Sequence, residues 1–144
     1  MAKEIEQIPS VFVARVSNAI DLKYRLDNIQ SIYTLARGSS DAAANILAYE
    51  WMRELQLPVT SIPPSVFSLG KGVTLNSSAC LIISQSGASE DLIKSARGAR
   101  ALGAKVFAIS NHHDSAVEKA ADIFVPLNAG PELAVPATKT VIGS

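Results

Sequence analysis

The stretch that decides the fold reads Ala79-Cys80-Leu81-Ile82-Ile83-Ser84-Gln85-Ser86-Gly87-Ala88-Ser89-Glu90-Asp91. Its first five residues are small or apolar, include two β-branched isoleucines and show no polar alternation. That is the pattern of a parallel strand covered by helices on both faces. The chain then turns polar at once. Ser84, Gln85, Ser86, Gly87 and Ser89 offer hydroxyls, an amide and a residue without Cβ, so backbone N–H groups and side chains can both close on a small ligand. Glu90 and Asp91 open the next helix, where negative side chains suit the positive end of the macrodipole. A strand, a hydroxyl-rich bend and a helix N-terminus in succession make an anion site that needs no lysine.

Working outward, residues 29–36 read as the first core strand, ending in Arg37-Gly38-Ser39-Ser40-Asp41. A long helix follows from Ala42 to Leu55, rich in good helix formers and stopped before Pro58, with an alanine run that lets it press onto the sheet. A second strand spans 59–62, and residues 66–69 form a short helix or strand. The helix after Ser89 ends at Gly103, which stands where a C′ residue would. A fourth strand spans 105–110, a loop and cap 111–115, a short helix 116–121 and a fifth strand 122–126. At the N-terminus Ser10 is expected to cap a peripheral helix beginning at Val11. Tyr49 and Trp51 are expected to pack.

This alternation implies an α/β fold, a three-layer αβα sandwich on a five-stranded parallel sheet. The expected strand order is 2-1-3-4-5, as in flavodoxin, with its switch point between strands one and three. Gly38, Ser39 and Ser40 would then face Ser84, Gln85, Ser86 and Gly87 across one crevice. Residues 1–28 form an N-terminal helical segment, 29–127 the ligand-binding domain, and 128–144 a connector.

With 144 residues, the chain suits one domain, and 13 basic against 13 acidic residues removes the electrostatic case for nucleic acid or a membrane surface as partner. The single cysteine, Cys80, falls inside the central strand and reads as a buried structural thiol. With no apolar run near the length of a membrane span and no apolar leader, a cytoplasmic protein is expected. His112 and His113 are adjacent, point in different directions and have no third His or Cys nearby in sequence, so no metal is expected, and no cofactor. A Gly-Lys-Ser/Thr phosphate loop and a Gly-x-Gly-x-x-Gly turn are both missing, which argues against a nucleotide.

Three motifs resemble the sugar isomerase (SIS) domain family: Arg37-Gly38-Ser39-Ser40, Ser84-Gln85-Ser86-Gly87-Ala88-Ser89, and Ala129-Gly130-Pro131-Glu132-Leu133-Ala134-Val135-Pro136-Ala137-Thr138-Lys139-Thr140. The third is similar to the segment that joins the two lobes of isomerising aminotransferases in that family. The resemblance implies a phosphorylated hexose or aminohexose as ligand. Ser84, Ser86 and Ser89 would donate to phosphate oxygens together with the amides of Gln85, Gly87 and Ala88. Ser39 and Ser40 would line the sugar side, and the backbone of Val135 and Ala137 would approach the sugar hydroxyls. Ala88 and Ala137 depart from the aminotransferase pattern, which commonly has Glu and Ser there.

The resemblance further implies the N-terminal lobe of an aminosugar- or ketose-phosphate isomerase, deaminase or isomerising aminotransferase, in a homodimer. The second lobe of such proteins carries the proton-transfer residues, and the chain stops before it. Proton transfer between adjacent carbons needs a well-placed carboxylate; Glu132 is the nearest candidate, and His112 or His113 is an alternative assistant in ring opening. A non-catalytic module that senses a phosphosugar and passes the signal to a partner is the rival reading.

Overall fold

The computed structural model describes residues 2–17 and 26–131. The elements in order are α1 (Ala2–Ser17), β1 (Ser31–Leu35), α2 (Ser39–Leu55), β2 (Val59–Ser61), α3 (Ser65–Ser68), β3 (Ser78–Ser84), α4 (Glu90–Ala101), β4 (Lys105–Ser110), α5 (Ala116–Ala120) and β5 (Ile123–Pro126). All neighbouring strands pair in parallel, in the order β2-β1-β3-β4-β5. The doubly wound sheet expected from the alternation is therefore present.

β3 is the centre of that sheet, and every one of its residues is buried. Its side chains part to the two faces with the period of a strand. Cys80 and Ile82 join a cluster with Phe67 of α3, Leu92, Ala96 and Ala99 of α4, and Val117 of α5. Ala79, Leu81 and Ile83 join the opposite cluster with Ala44 of α2, Phe107, Ile109 and Val125, against which Trp51 and Leu55 pack. Ala43 and Ala44 are the buried residues of α2, so small side chains do bring that helix close to the strands.

Three local expectations are corrected. Helix α1 begins at Ala2 and runs through Pro9, so Ser10 does not cap it. Glu4, Glu6 and Gln7 are good helix formers that carry the helix past the proline, and Ser10 Oγ instead donates back to the Gln7 carbonyl at 2.8 Å. Helix α2 begins at Ser39, three residues earlier than the alanine run suggests, because Gly38 at φ 56° turns the chain sharply enough to start it. Trp51 packs on the sheet, but Tyr49 is exposed. Two residues of helix rotate a side chain by about 200°, so these neighbours cannot share the apolar face.

Cys80 has no exposure, and burial pushes its thiol pKa up from 9.0 to about 12. At pH 8 the folded protein should carry a thiolate fraction of about one in ten thousand. A thiol reagent at that pH should therefore label Cys80 only after denaturant is added; rapid labelling of the native protein would contradict its placement. Ile82→Ala, at a fully buried site, should cost about 3 kcal/mol in urea unfolding, within the usual range for such truncations.

Candidate functional site

The carboxyl ends of β1 and β3 lie side by side, with Leu35 level with Ile82. Two polar loops leave from there, residues 36–38 and 85–89, and each opens a helix on leaving the sheet. This is the switch point of the sheet, where crevices of such folds collect ligands.

The second loop is held from behind. Gly87 has φ 63°, and a Cβ there would fall 2.5 Å from Ser115 Cβ and 2.7 Å from Ser110 Oγ. Its amide donates to Ser84 Oγ at 3.2 Å, and its carbonyl accepts from the Val117 amide at 3.0 Å. The Gln85 carbonyl accepts from the Asn111 amide at 3.2 Å. The loop is thus tied to the end of β4 and the start of α5, and only a glycine fits at its pivot.

The hydroxyls divide in their roles. Ser84 is buried, and its oxygen serves the Gly87 amide. Ser86 is exposed, and its oxygen accepts from the Ala88 amide at 3.3 Å. An oxygen fixed as an acceptor still has its O–H to give, so Ser86 is oriented and free to donate outward. Ser89 is the N-cap of α4, yet its side chain makes no capping bond. The first intrahelical bond of α4 runs from the Ile93 amide to the Ser89 carbonyl. Among the described residues, the amides of Ser86, Ser89, Glu90, Asp91 and Leu92 meet no acceptor, the condition of a helix start that can receive an anion.

The first loop contributes differently. Ser39 and Ser40 are half-buried in the first turn of α2, while the Ser40 and Asp41 amides donate to the Arg37 and Gly38 carbonyls. Asp41 is used locally, accepting from Ser61 Oγ at 3.1 Å. Gly38 has only open space where a Cβ would stand, so its loop can be approached closely.

Arg37 joins the two loops, its Nη1 lying 3.0 Å from Asp91 Oδ2 in the first turn of α4. Glu90 pairs with Lys94 at 2.9 Å, and that hydrogen bond holds its carboxyl below the usual carboxylate range. A cleft of about 430 Å³ lies here, lined by Arg37, Ser68, Ser89, Asp91 and Lys94 among others. The other flank of Arg37 borders a cleft of about 300 Å³ with Gly38, Asp41 and Ser61.

The sequence marks Asn111 only as part of a loop, and its role is larger. Its Oδ1 accepts from the Ala129 amide at 2.8 Å and its Nδ2 donates to the Gly130 carbonyl at 2.7 Å. The side chain thus fixes the chain as it enters the third motif, while its own amide holds the serine loop. His113 Nε2 lies 3.2 Å from Asn128 Oδ1 with its ring edge-on to Phe124, and no group of three metal-ligating side chains forms among the described residues. Glu132, Val135 and Ala137 lie outside the described residues.

A parallel sheet that delivers two serine-bearing loops and an open helix N-terminus to one switch point defines a small-anion-binding α/β unit. The model of the SIS domain matches residues 25–143, and the chain belongs to that family. It is 32% identical to the isomerizing glutamine–fructose-6-phosphate aminotransferase of Mesorhizobium japonicum over 96% of its own length, and 33% identical to that of Methanococcus maripaludis over 97%. It spans 24% of each of those relatives. Among solved structures, a candidate phosphosugar isomerase from Silicibacter pomeroyi superposes with a TM-score of 0.89 at 34% identity, covering 98% of this chain and 45% of that one. The C-terminal domain of glucosamine-fructose-6-phosphate aminotransferase from Francisella tularensis gives 0.87 at 23% identity, covering 99% of this chain and 44% of that one, and shares the fold.

Gly87→Ala should destabilise by at least about 2 kcal/mol in urea unfolding, since positive φ and a close backing add. Gly38→Ala should also cost about 2 kcal/mol although no atom stands in its way, because φ 56° with ψ −129° is a conformation nearly confined to glycine. A Gly87→Ala protein as stable as wild type would mean that the backing of Gly87 does not hold the loop.

Proposed function

We propose that this chain is the sugar-phosphate-binding lobe of an SIS protein that handles an aminosugar or ketose phosphate. The observation that carries the reading is the set of unpaired amides at the start of α4 beside the oriented hydroxyl of Ser86. These donors suit a phosphoryl group, whose charge the helix start also favours. In this reading the hydroxyls of Ser86 and Ser89 and the open amides of Ser86 and the first turn of α4 hold the phosphate, while the Gly87 and Ala88 amides, expected from the resemblance to join them, are taken by Ser84 and Ser86 and hold the loop in shape. Gly38, Ser39 and Ser40 border the sugar, and the backbone of Val135 and Ala137 is assigned to its hydroxyls. The aminotransferase relatives carry fructose 6-phosphate in their names and the Silicibacter pomeroyi protein is a candidate phosphosugar isomerase, which supports a hexose phosphate as ligand.

The isomerase, deaminase or aminotransferase chemistry belongs, in this proposal, to residues beyond the domain spanning 29–127. Asp91 is engaged by Arg37 and Glu90 by Lys94, and the Lys94 hydrogen bond lowers the Glu90 pKa, which makes Glu90 a poor proton donor. The proton-transfer residues belong, in this reading, to a second lobe, and within this chain Glu132 of the connector 128–144 is only the nearest candidate carboxylate. The ion pairing of the described carboxylates also favours the second reading, a phosphosugar sensor without turnover. We further propose a cytoplasmic homodimer, for which the apolar side chains of Ile46, Tyr49 and Met52 on the exposed side of α2 supply a contact surface. No helix among the described residues is long and apolar enough to cross a membrane.

Titration calorimetry with glucosamine 6-phosphate and fructose 6-phosphate should show binding, and unphosphorylated glucosamine should show none. Ser86→Ala should weaken the affinity by about tenfold, the worth of one hydrogen bond to a charged group. No heat with either hexose phosphate would overturn the reading. Turnover of either by this chain would eliminate the sensor alternative.

A further inference from the structure

Building on the phosphosugar reading above, we infer that Arg37 sets the affinity of the site without touching the phosphoryl group, by neutralising Asp91. Asp91 sits in the first turn of α4 with its side chain 29% exposed, among the very amides that would receive the anion. Its charge interacts favourably with the helix dipole, so an ionised Asp91 competes with a phosphate for that end and repels it. The Arg37 guanidinium, 3.0 Å away and reaching across from the β1 loop, cancels that charge. Glu90 is the other carboxylate of the turn, but its side chain is 80% exposed and its partner Lys94 lies on the same helix. Asp91, the less exposed carboxylate of the two, is screened less than Glu90 and is the charge that matters most, with Arg37, itself 68% exposed, as its partly screened counterweight.

Arg37 is thus a positioning residue that also ties one wall of the crevice to the other. A side chain that bound phosphate directly would behave differently on removal of its partner. With Asp91 made neutral, an indirect Arg37 becomes dispensable, whereas a direct one does not.

The test is calorimetry of glucosamine 6-phosphate binding to the 144-residue protein and to Arg37→Ala, Arg37→Lys, Asp91→Asn and Arg37→Ala/Asp91→Asn. Arg37→Ala should weaken binding by about five- to tenfold, the scale of a partly screened charge facing a dianion. The double variant should return to within about twofold of wild type, and Arg37→Lys should lose no more than about threefold, because it keeps the charge. The Arg37→Ala deficit should shrink as salt is raised to about 0.5 M. A double variant as weak as Arg37→Ala would overturn the inference in favour of direct contact, and so would an Arg37→Ala affinity equal to wild type. Failure of the wild-type protein to bind any hexose phosphate would instead overturn the phosphosugar reading, and this inference with it.

Discussion

Everything at the candidate site depends on how β3 hands over to α4. The strand is buried along its whole length, so its course is fixed by packing on both faces, and the loop that follows cannot drift. Gly87 is the pivot of that loop, lodged against Ser110 and Ser115 where no Cβ fits. The strand fixes the loop's root and the glycine its depth; together they aim the first-turn amides of α4 at the crevice.

From that constraint the division of labour among the serines follows. A hydroxyl that accepts an amide proton is anchored, and what it does next depends on its exposure. Ser84 is buried and acts inside the loop, while Ser86 is exposed and keeps its proton free to donate. Asn111 extends the same logic to the next segment. With two side-chain hydrogen bonds it sets the path of residues 129 and 130, and with its own amide it holds Gln85, so loop and connector share one anchor. The chain belongs to the SIS domain family and spans about a quarter of the length of its aminotransferase relatives.

Much of this was legible in the residues. A run such as Ala79–Ile83 has no polar side, so it could only be an interior strand, and β4 followed from Lys105–Ser110 in the same way. The regular alternation of strands and helices implied a parallel sheet, and a common order for five such units, which the sheet has, brings the two loops together. The seryl loops stood out because their hydroxyl density exceeds what one helix cap uses. What stayed hidden depended on distance in sequence. Nothing near Arg37 signals Asp91, which is 54 positions away, and nothing near Asn111 signals residues 129 and 130. Pro9 and Ser10 looked like a helix boundary because a proline usually breaks a helix, yet the turn ahead of it continues through.

The central claim is that the bend between β3 and α4 receives a phosphoryl group on its amides. Amide chemical shifts of the isotope-labelled protein, followed while fructose 6-phosphate is added, test it most directly. The account predicts that the largest shifts fall on Ser86, Ser89 and the first turn of α4, with smaller ones at Ser39 and Ser40. Shifts centred elsewhere on the molecule, with those amides unmoved, would contradict it.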